Sequence, residues 1–185
     1  MKLIIKIIRE SVKVLIFASI LSSFGGIGLE SLNQKLVTIL PFLILFPALN
    51  NLVGNFGIIF SSRFTTLLYM GKVKKNIFKS IEMRRLISSI FIIALVCTTY
   101  IAILANVIAF LKGFPFDLNV FLKILFSSVL MAVVLCIILI FISVIVGFHL
   151  LKKRKDPDNF LTPITTAIAD LGCMLMISGM LYFFF

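Results

Sequence analysis

Long apolar runs, separated by short polar connections, are the feature that most limits how this chain can fold. Several runs reach or exceed the about 20 apolar residues that a helix needs to cross a bilayer. Inside hydrocarbon, every backbone N–H and C=O group has to be bonded within the protein, which favours helices. Hydrophobic residues make up 61% of the 185, and no polar block is long enough to fold alone. We therefore predict a single all-α polytopic membrane domain.

The apolar runs predict five transmembrane helices within one domain over residues 1–185. The expected spans are 11–30, 36–70, 86–111, 118–151 and 160–185. The second span is too long for one straight crossing of a hydrocarbon core of roughly 30 Å. Because Pro41 and Pro47 each remove an intrahelical hydrogen bond, we expect this second span to be broken.

Lysine and arginine are concentrated at alternate connections between the spans. The N-terminus, the loop 72–85 and the run 152–155 are strongly basic, whereas the other two connections carry few basic residues. The positive-inside rule then predicts an N-in, C-out topology in the cell (plasma) membrane, where lipids surround the protein. This placement also accounts for the net charge of +11, so nucleic acid is not expected as a partner.

Asp170 is the only acidic residue clearly inside a predicted span. A lone carboxylate at that depth costs roughly 2.5–3.5 kcal/mol on insertion scales, so such residues normally face a bundle interior or a water-filled path. A cation or proton route is the leading hypothesis, and an aspartate that only bonds to a neighbouring helix is the alternative. An intramembrane enzyme would need a paired acid–base, nucleophile–base or metal-ligand set, which this sequence does not show. No enzymatic activity is therefore predicted.

One carboxylate is a poor match for the charge of a divalent cation. The chain has no convincing internal repeat, so a second copy of Asp170 has to come from another subunit, and we predict a homodimer. Mg²⁺ sheds water reluctantly, so Asp170 would hold a partly hydrated ion through water, helped by the carbonyl or hydroxyl oxygen of Thr166. A cation- or proton-coupled carrier of another solute that uses Asp170 is the alternative function.

Three amide side chains in the second span supply further oxygen atoms of the kind that hard cations bind. They are Asn50, Asn51 and Asn55, and they follow the two prolines, where an interrupted helix would line a cavity. The alternative is that these amides only bridge neighbouring helices.

The first and the last span each carry polar residues at one end. Glu30 closes the first span, either as an outer-vestibule carboxylate that concentrates cations or as an interfacial acid solvated by water and headgroups. Within that span, small residues such as Ser22 and Gly25 are expected to allow close helix packing. At the start of the last span, Asp158 or Asn159 is a good helix N-cap.

Two segments resemble the MgtE-type divalent cation transporters, whose superfamily includes the eukaryotic solute-carrier magnesium transporters. Asp156-Pro157-Asp158-Asn159, Thr162-Pro163-Ile164-Thr165 and then Asp170 resemble that family's last transmembrane helix. Pro47-Ala48-Leu49, Gly54-Asn55, Ser62-Arg63-Phe64-Thr65-Thr66 and Gly71 resemble its second helix. Together these segments cover about a fifth of the chain, and both correspond to helices that line the family's pore.

The resemblance implies a homodimeric Mg²⁺ or other divalent cation transporter in which the cation is the transported ion and no cofactor is permanently bound. It implies the central ion-site role for Asp170, a pore shaped by Asn55, Asn159 and the prolines, and an inner mouth at Asp156 and Asp158. The chain resembles a minimal, single-half prokaryotic or archaeal member, for which no cytoplasmic sensor domain is expected. The candidate metal-contacting residues are Asp170 and Thr166, and the candidate pore residues are Glu30, Asn50, Asn51, Gly54, Asn55, Asp156, Asp158, Asn159 and Pro163.

Overall fold

The computed structural model describes residues 2–30, 40–73, 80–153 and 156–184, apart from the side chains of residues 2–10, 28–30 and 184. The described residues form five helices: α1 (Lys2–Glu30), α2 (Leu40–Tyr69), α3 (Ile81–Leu111), α4 (Leu118–Lys152) and α5 (Asp158–Phe184). The prediction of an all-α chain is therefore confirmed.

Four of these helices, α2 to α5, are long enough and apolar enough to cross a membrane. In helix α1 the residues with described side chains, Ser11–Ile27, also form an apolar stretch. The described residues thus contain four helices of spanning length, together with the apolar stretch of α1.

Helix α2 runs without a break from Leu40 to Tyr69, which differs from the interruption that its prolines predict. Pro41 is the second residue of the helix, where its missing N–H group costs nothing, since the first four N–H groups of a helix have no intrahelical partner. Pro47 lies inside the helix and cannot donate to the carbonyl of Leu43, so one bond is lost while the helix continues. Packing of α2 on its neighbours outweighs that loss.

Side-chain caps and one glycine set the ends of α3 and the start of α4. Helix α3 begins at Ile81, five residues before the predicted span, because the hydroxyl of Ser80 accepts a hydrogen bond from the N–H of Met83 at 3.2 Å. After α3 the chain turns at Gly113, whose φ of 89° suits a residue without a Cβ atom. Helix α4 then starts after Asp117, whose carboxylate accepts from the N–H of Asn119 at 2.8 Å.

Helix α2 packs against α3, α4 and α5, and helix α5 packs against α1, α2 and α4, whereas α1 packs mainly on α5. One buried cluster, which includes Leu49 and Val53, surrounds the first half of α2, and a second, which includes Phe60 and Phe64, surrounds its second half. A buried hydrogen bond of 3.0 Å between the hydroxyls of Ser61 and Ser143 also links α2 to α4.

Gly57 brings α2 and α5 close together. A Cβ atom added at Gly57 would lie 3.0 Å from Cβ of Thr165 and 3.2 Å from Cδ1 of Leu139, so the two helices could not approach as closely with a larger residue there. The two helices are antiparallel, so Asn50, which precedes Gly57 on α2, lies on the same side of this contact as Asp170, which follows Thr165 on α5. The packing therefore places these two polar side chains side by side.

Candidate cation site

Asp170 lies near the middle of α5, at the place where α1, α2 and α5 meet. It is about 18 Å along the helix axis from Asp158, the first residue of α5. Its Oδ1 atom accepts a hydrogen bond from Nδ2 of Asn50 at 2.9 Å, and its Oδ2 atom accepts one from the hydroxyl of Ser22 at 3.0 Å. Both oxygens of this half-buried carboxylate are therefore bonded to neutral donors from other helices.

A cavity of about 360 Å³, called the asparagine cavity because Asn50, Asn51 and Asn55 line it, lies between α2 and α5 next to Asp170. Residues spaced three and four apart share one face of a helix, and the cavity-lining residues of α2 and α5 follow that spacing. They are Pro47, Asn50, Asn51, Gly54, Asn55 and Ile58 on α2, and Thr166, Asp170 and Met174 on α5, together with Phe46. The structure thus gathers six of the candidate residues, the three asparagines, Gly54, Thr166 and Asp170, around one cavity.

The oxygen atoms at this cavity are of the type that hard cations bind. Oδ1 of Asn50 is buried and accepts no hydrogen bond from any described residue, although the Nδ2 atom of the same amide donates to Asp170. The hydroxyl of Thr166 donates to the carbonyl of Thr162 at 3.0 Å, which leaves its lone pairs available. A buried acceptor without a donor carries a desolvation cost that a bound cation or water would remove.

Charge at this site is low. No group of three or more His, Cys, Asp or Glu side chains that could hold a metal ion occurs among the described residues. The chemistry of the cavity is therefore one carboxylate surrounded by neutral amide and hydroxyl oxygens. Such a set suits an ion that keeps several of its waters better than an ion held by protein ligands alone.

A second cavity, of about 530 Å³, lies between α5 and α1. Asp170 and Thr166 line both cavities, while Pro163 lines only the one next to α1. Asp170 therefore borders two cavities, one next to α2 and one next to α1. Pro163 is placed away from the asparagine cavity, because it stands seven residues, about two turns, before Asp170.

The polar residues at the start of α5 lie in a separate place. Oδ1 of Asp156 accepts from the N–H of Asp158 at 3.2 Å and from the hydroxyl of Tyr69 at 3.3 Å. Asp156 therefore supports the first turn of the helix, where Asp158 or Asn159 was expected to act as the cap. None of these three acidic or amide residues lines either cavity.

Asn55 and Glu30 are two further candidate pore residues. Asn55 donates to Oδ1 of Asn51 at 3.4 Å, so these two amides contact each other at the exposed side of the asparagine cavity. Glu30 ends α1, and its side chain lies outside the described residues.

Ser22 is the partner of Asp170 that the sequence did not reveal. Its spacing from Ala18 and Gly25 indicates a helix face of small residues, but that pattern predicts only close packing. The contact joins residues 148 positions apart in the chain, so nothing in the local sequence names Asp170 as the partner.

Comparison with protein families gives one match. The family model described as MgtE, divalent cation transporter, matches residues 46–180, which include α2 from Phe46 onward, α3, α4 and most of α5. Asn50, Thr166 and Asp170 fall inside the matched segment, and all of α1 precedes it. Comparisons with curated proteins and with solved structures gave no match.

Proposed function

Because this chain belongs to the MgtE family of divalent cation transporters, we propose that it transports Mg²⁺ across the cell membrane by way of Asp170. The family match confirms the resemblance of segments 47–71 and 156–170, since both lie within residues 46–180. The members of this family are transporters and not enzymes. Together with four helices able to span a bilayer, the match makes this a multi-pass membrane protein.

The observation that carries the proposal is the asparagine cavity with its single carboxylate and its unpaired amide oxygen. Six waters around a Mg²⁺ ion occupy roughly 180 Å³ at about 30 Å³ each. The cavity of about 360 Å³ has room for an ion with most of its hydration shell. Asp170 would attract the ion, and Oδ1 of Asn50 and the hydroxyl of Thr166 would accept hydrogen bonds from its waters.

Entry of the ion changes one contact of Asp170. The Nδ2 donor of Asn50 occupies the Oδ1 atom that faces the asparagine cavity. A cation arriving there replaces that N–H group, and the amide can turn to present its oxygen instead. The exchange of the amide N–H group for a water molecule of the hydrated cation keeps the carboxylate solvated at every stage. This exchange keeps the ion from binding too tightly, which matters because a transported ion has to leave the site as well as enter it.

Saturable Mg²⁺ uptake into proteoliposomes is the experiment that tests the proposed function. We expect uptake to rise to a plateau with Mg²⁺ concentration when the wild-type chain is present, and to stay at the leak rate in protein-free liposomes. Adding Ca²⁺, Mn²⁺ or Co²⁺ as competitors then ranks the cations. A folded wild-type protein that moves none of these ions would contradict the proposal.

A homodimer is part of the same proposal. One Asp170 carries half the charge of a divalent cation, and an axis along the membrane normal through two chains, oriented N-in and C-out, would bring two such carboxylates to one path. We expect the purified protein in detergent to have a protein mass of twice 20.7 kDa, about 41 kDa, by light scattering corrected for bound detergent. A protein mass of one chain would exclude a site that needs two copies of Asp170.

A further inference from the structure

Helix α1 packs on α5 through a face of small residues, and one of these residues contacts the carboxylate of Asp170. Ala18, Ser22 and Gly25 are spaced four and three apart, so they lie on one side of α1. A Cβ atom added at Gly25 would lie 3.3 Å from the Cα atom of Leu171, which shows how close the two backbones are. One turn earlier, this approach puts the hydroxyl of Ser22 at 3.0 Å from Oδ2 of Asp170.

The two oxygens of Asp170 face different helices. Oδ1 is bonded to Asn50 on α2, which lines the asparagine cavity, and Oδ2 is bonded to Ser22 on α1, which lines the second cavity. The terminal torsion of an aspartate side chain is broad, so the residue has little intrinsic preference for one orientation of its carboxylate plane. The orientation seen here therefore depends on its two donors.

We infer that Ser22 is a positioning residue of the cation site, whose hydroxyl holds Oδ2 on the α1 side so that Oδ1 is presented to the ion in the asparagine cavity. This inference rests on the proposed function, because it concerns the same carboxylate. An ion that enters from the α2 side displaces the N–H group of Asn50 and leaves the bond to Ser22 in place. Ser22 precedes residues 46–180, so the family match assigns it no role.

Loss of the hydroxyl affects ion binding more than it affects the later steps of transport. Without Ser22, Oδ2 loses its described donor, and the carboxylate can rotate among orientations that do not face the asparagine cavity. Binding an ion then has to restrict that rotation, which weakens binding. The Mg²⁺ concentration for half-maximal uptake therefore rises, while the maximal rate at saturating Mg²⁺ changes little.

Three serine variants on α1 test this inference in proteoliposome uptake. Ser22→Ala is expected to raise the half-saturating Mg²⁺ concentration by about threefold to tenfold, the range that one typical intramolecular hydrogen bond contributes. Ser22→Thr keeps the hydroxyl, and the adjoining cavity of about 530 Å³ has room for its methyl group, so near wild-type half-saturation is expected. Ser23→Ala is the matched control, since that hydroxyl donates to the carbonyl of Ser19 within α1.

The outcomes separate this inference from the proposed function. Wild-type half-saturation in Ser22→Ala, or an equal shift in Ser22→Ala and Ser22→Thr, would overturn the role of the hydroxyl while Asp170-dependent uptake stands. Absence of saturable uptake by the wild type, or full uptake by Asp170→Asn, would instead overturn the proposed function. If Ser22→Ala does not fold, Ser22→Cys is the variant to measure. Because a thiol is a weaker donor than a hydroxyl, we expect a half-saturating Mg²⁺ concentration between those of the wild type and a variant without a donor. An unchanged half-saturating concentration would overturn the inference.

Discussion

Asp170→Asn is expected to lower Mg²⁺ uptake by at least about a hundredfold, because it removes the charge that attracts the ion. Two unit charges 4 Å apart at an effective dielectric constant of 20 interact by about 4 kcal/mol, which corresponds to about a thousandfold in binding. Waters between the ion and the carboxylate reduce this effect. Among the described residues that line the two cavities, Asp170 is the only acidic one, so no neighbouring group there replaces its charge.

The asparagine variant is a suitable replacement because it has nearly the same shape as aspartate. Its side chain can still accept from Ser22 or Asn50, so we expect it to fold, and size-exclusion chromatography should give the wild-type elution profile. Asp170→Glu keeps the charge with a longer side chain and is expected to retain part of the uptake. Wild-type uptake by the folded Asp170→Asn protein would show that the ion passes elsewhere.

Gly57→Leu and Gly54→Leu are expected to differ in their thermal unfolding midpoints, although the two glycines are three residues apart on α2. At Gly57 a Cβ atom would already be 3.0 Å from Cβ of Thr165, so a leucine has to push α2 and α5 apart. Overpacking of this kind costs about 1–3 kcal/mol. We expect Gly57→Leu to lower the thermal unfolding midpoint in detergent and, by moving Asn50 from Asp170, to reduce uptake as well.

At Gly54 nothing lies within 4 Å of an added Cβ atom, because that side of α2 faces the asparagine cavity. A leucine there extends into the space that the ion would occupy next to Asp170. The expected result is an unfolding midpoint near or above that of the wild type, with strongly reduced Mg²⁺ uptake. Equal midpoints for Gly54→Leu and Gly57→Leu would contradict the close helix contact, and undiminished uptake by Gly54→Leu would contradict a path through the cavity.

Several predictions from the sequence depend only on local composition, and these agree with the structure. Backbone groups in hydrocarbon have to form their hydrogen bonds within the protein, so long apolar runs predict helices directly. Asn50, Asn51 and Gly54 were grouped with Asp170 on the basis of their oxygen chemistry and the family resemblance, and they line one cavity with it. Their roles in transport remain predictions.

Other features of the fold and the site depend on which helices are neighbours in the bundle. Pro47 was expected to break the second span, yet α2 continues through it, since packing against three neighbouring helices outweighs one missing hydrogen bond. Pro163 was grouped with the asparagines, but it faces α1. Asp156 supports the first turn of α5, far from Asp170.

The sequence by itself determined that the chain is a helical membrane protein with one deep carboxylate among apolar residues, because the bilayer acts on each segment separately. Only the tertiary structure decided the surroundings of that carboxylate. Ser22 and Asn50 bond to Asp170 across 148 and 120 positions of the chain, and these contacts arise from close packing at Gly25 and Gly57. The periodicity of a helix shows which of its faces is packed, but the partner on that face is set by the arrangement of the whole bundle.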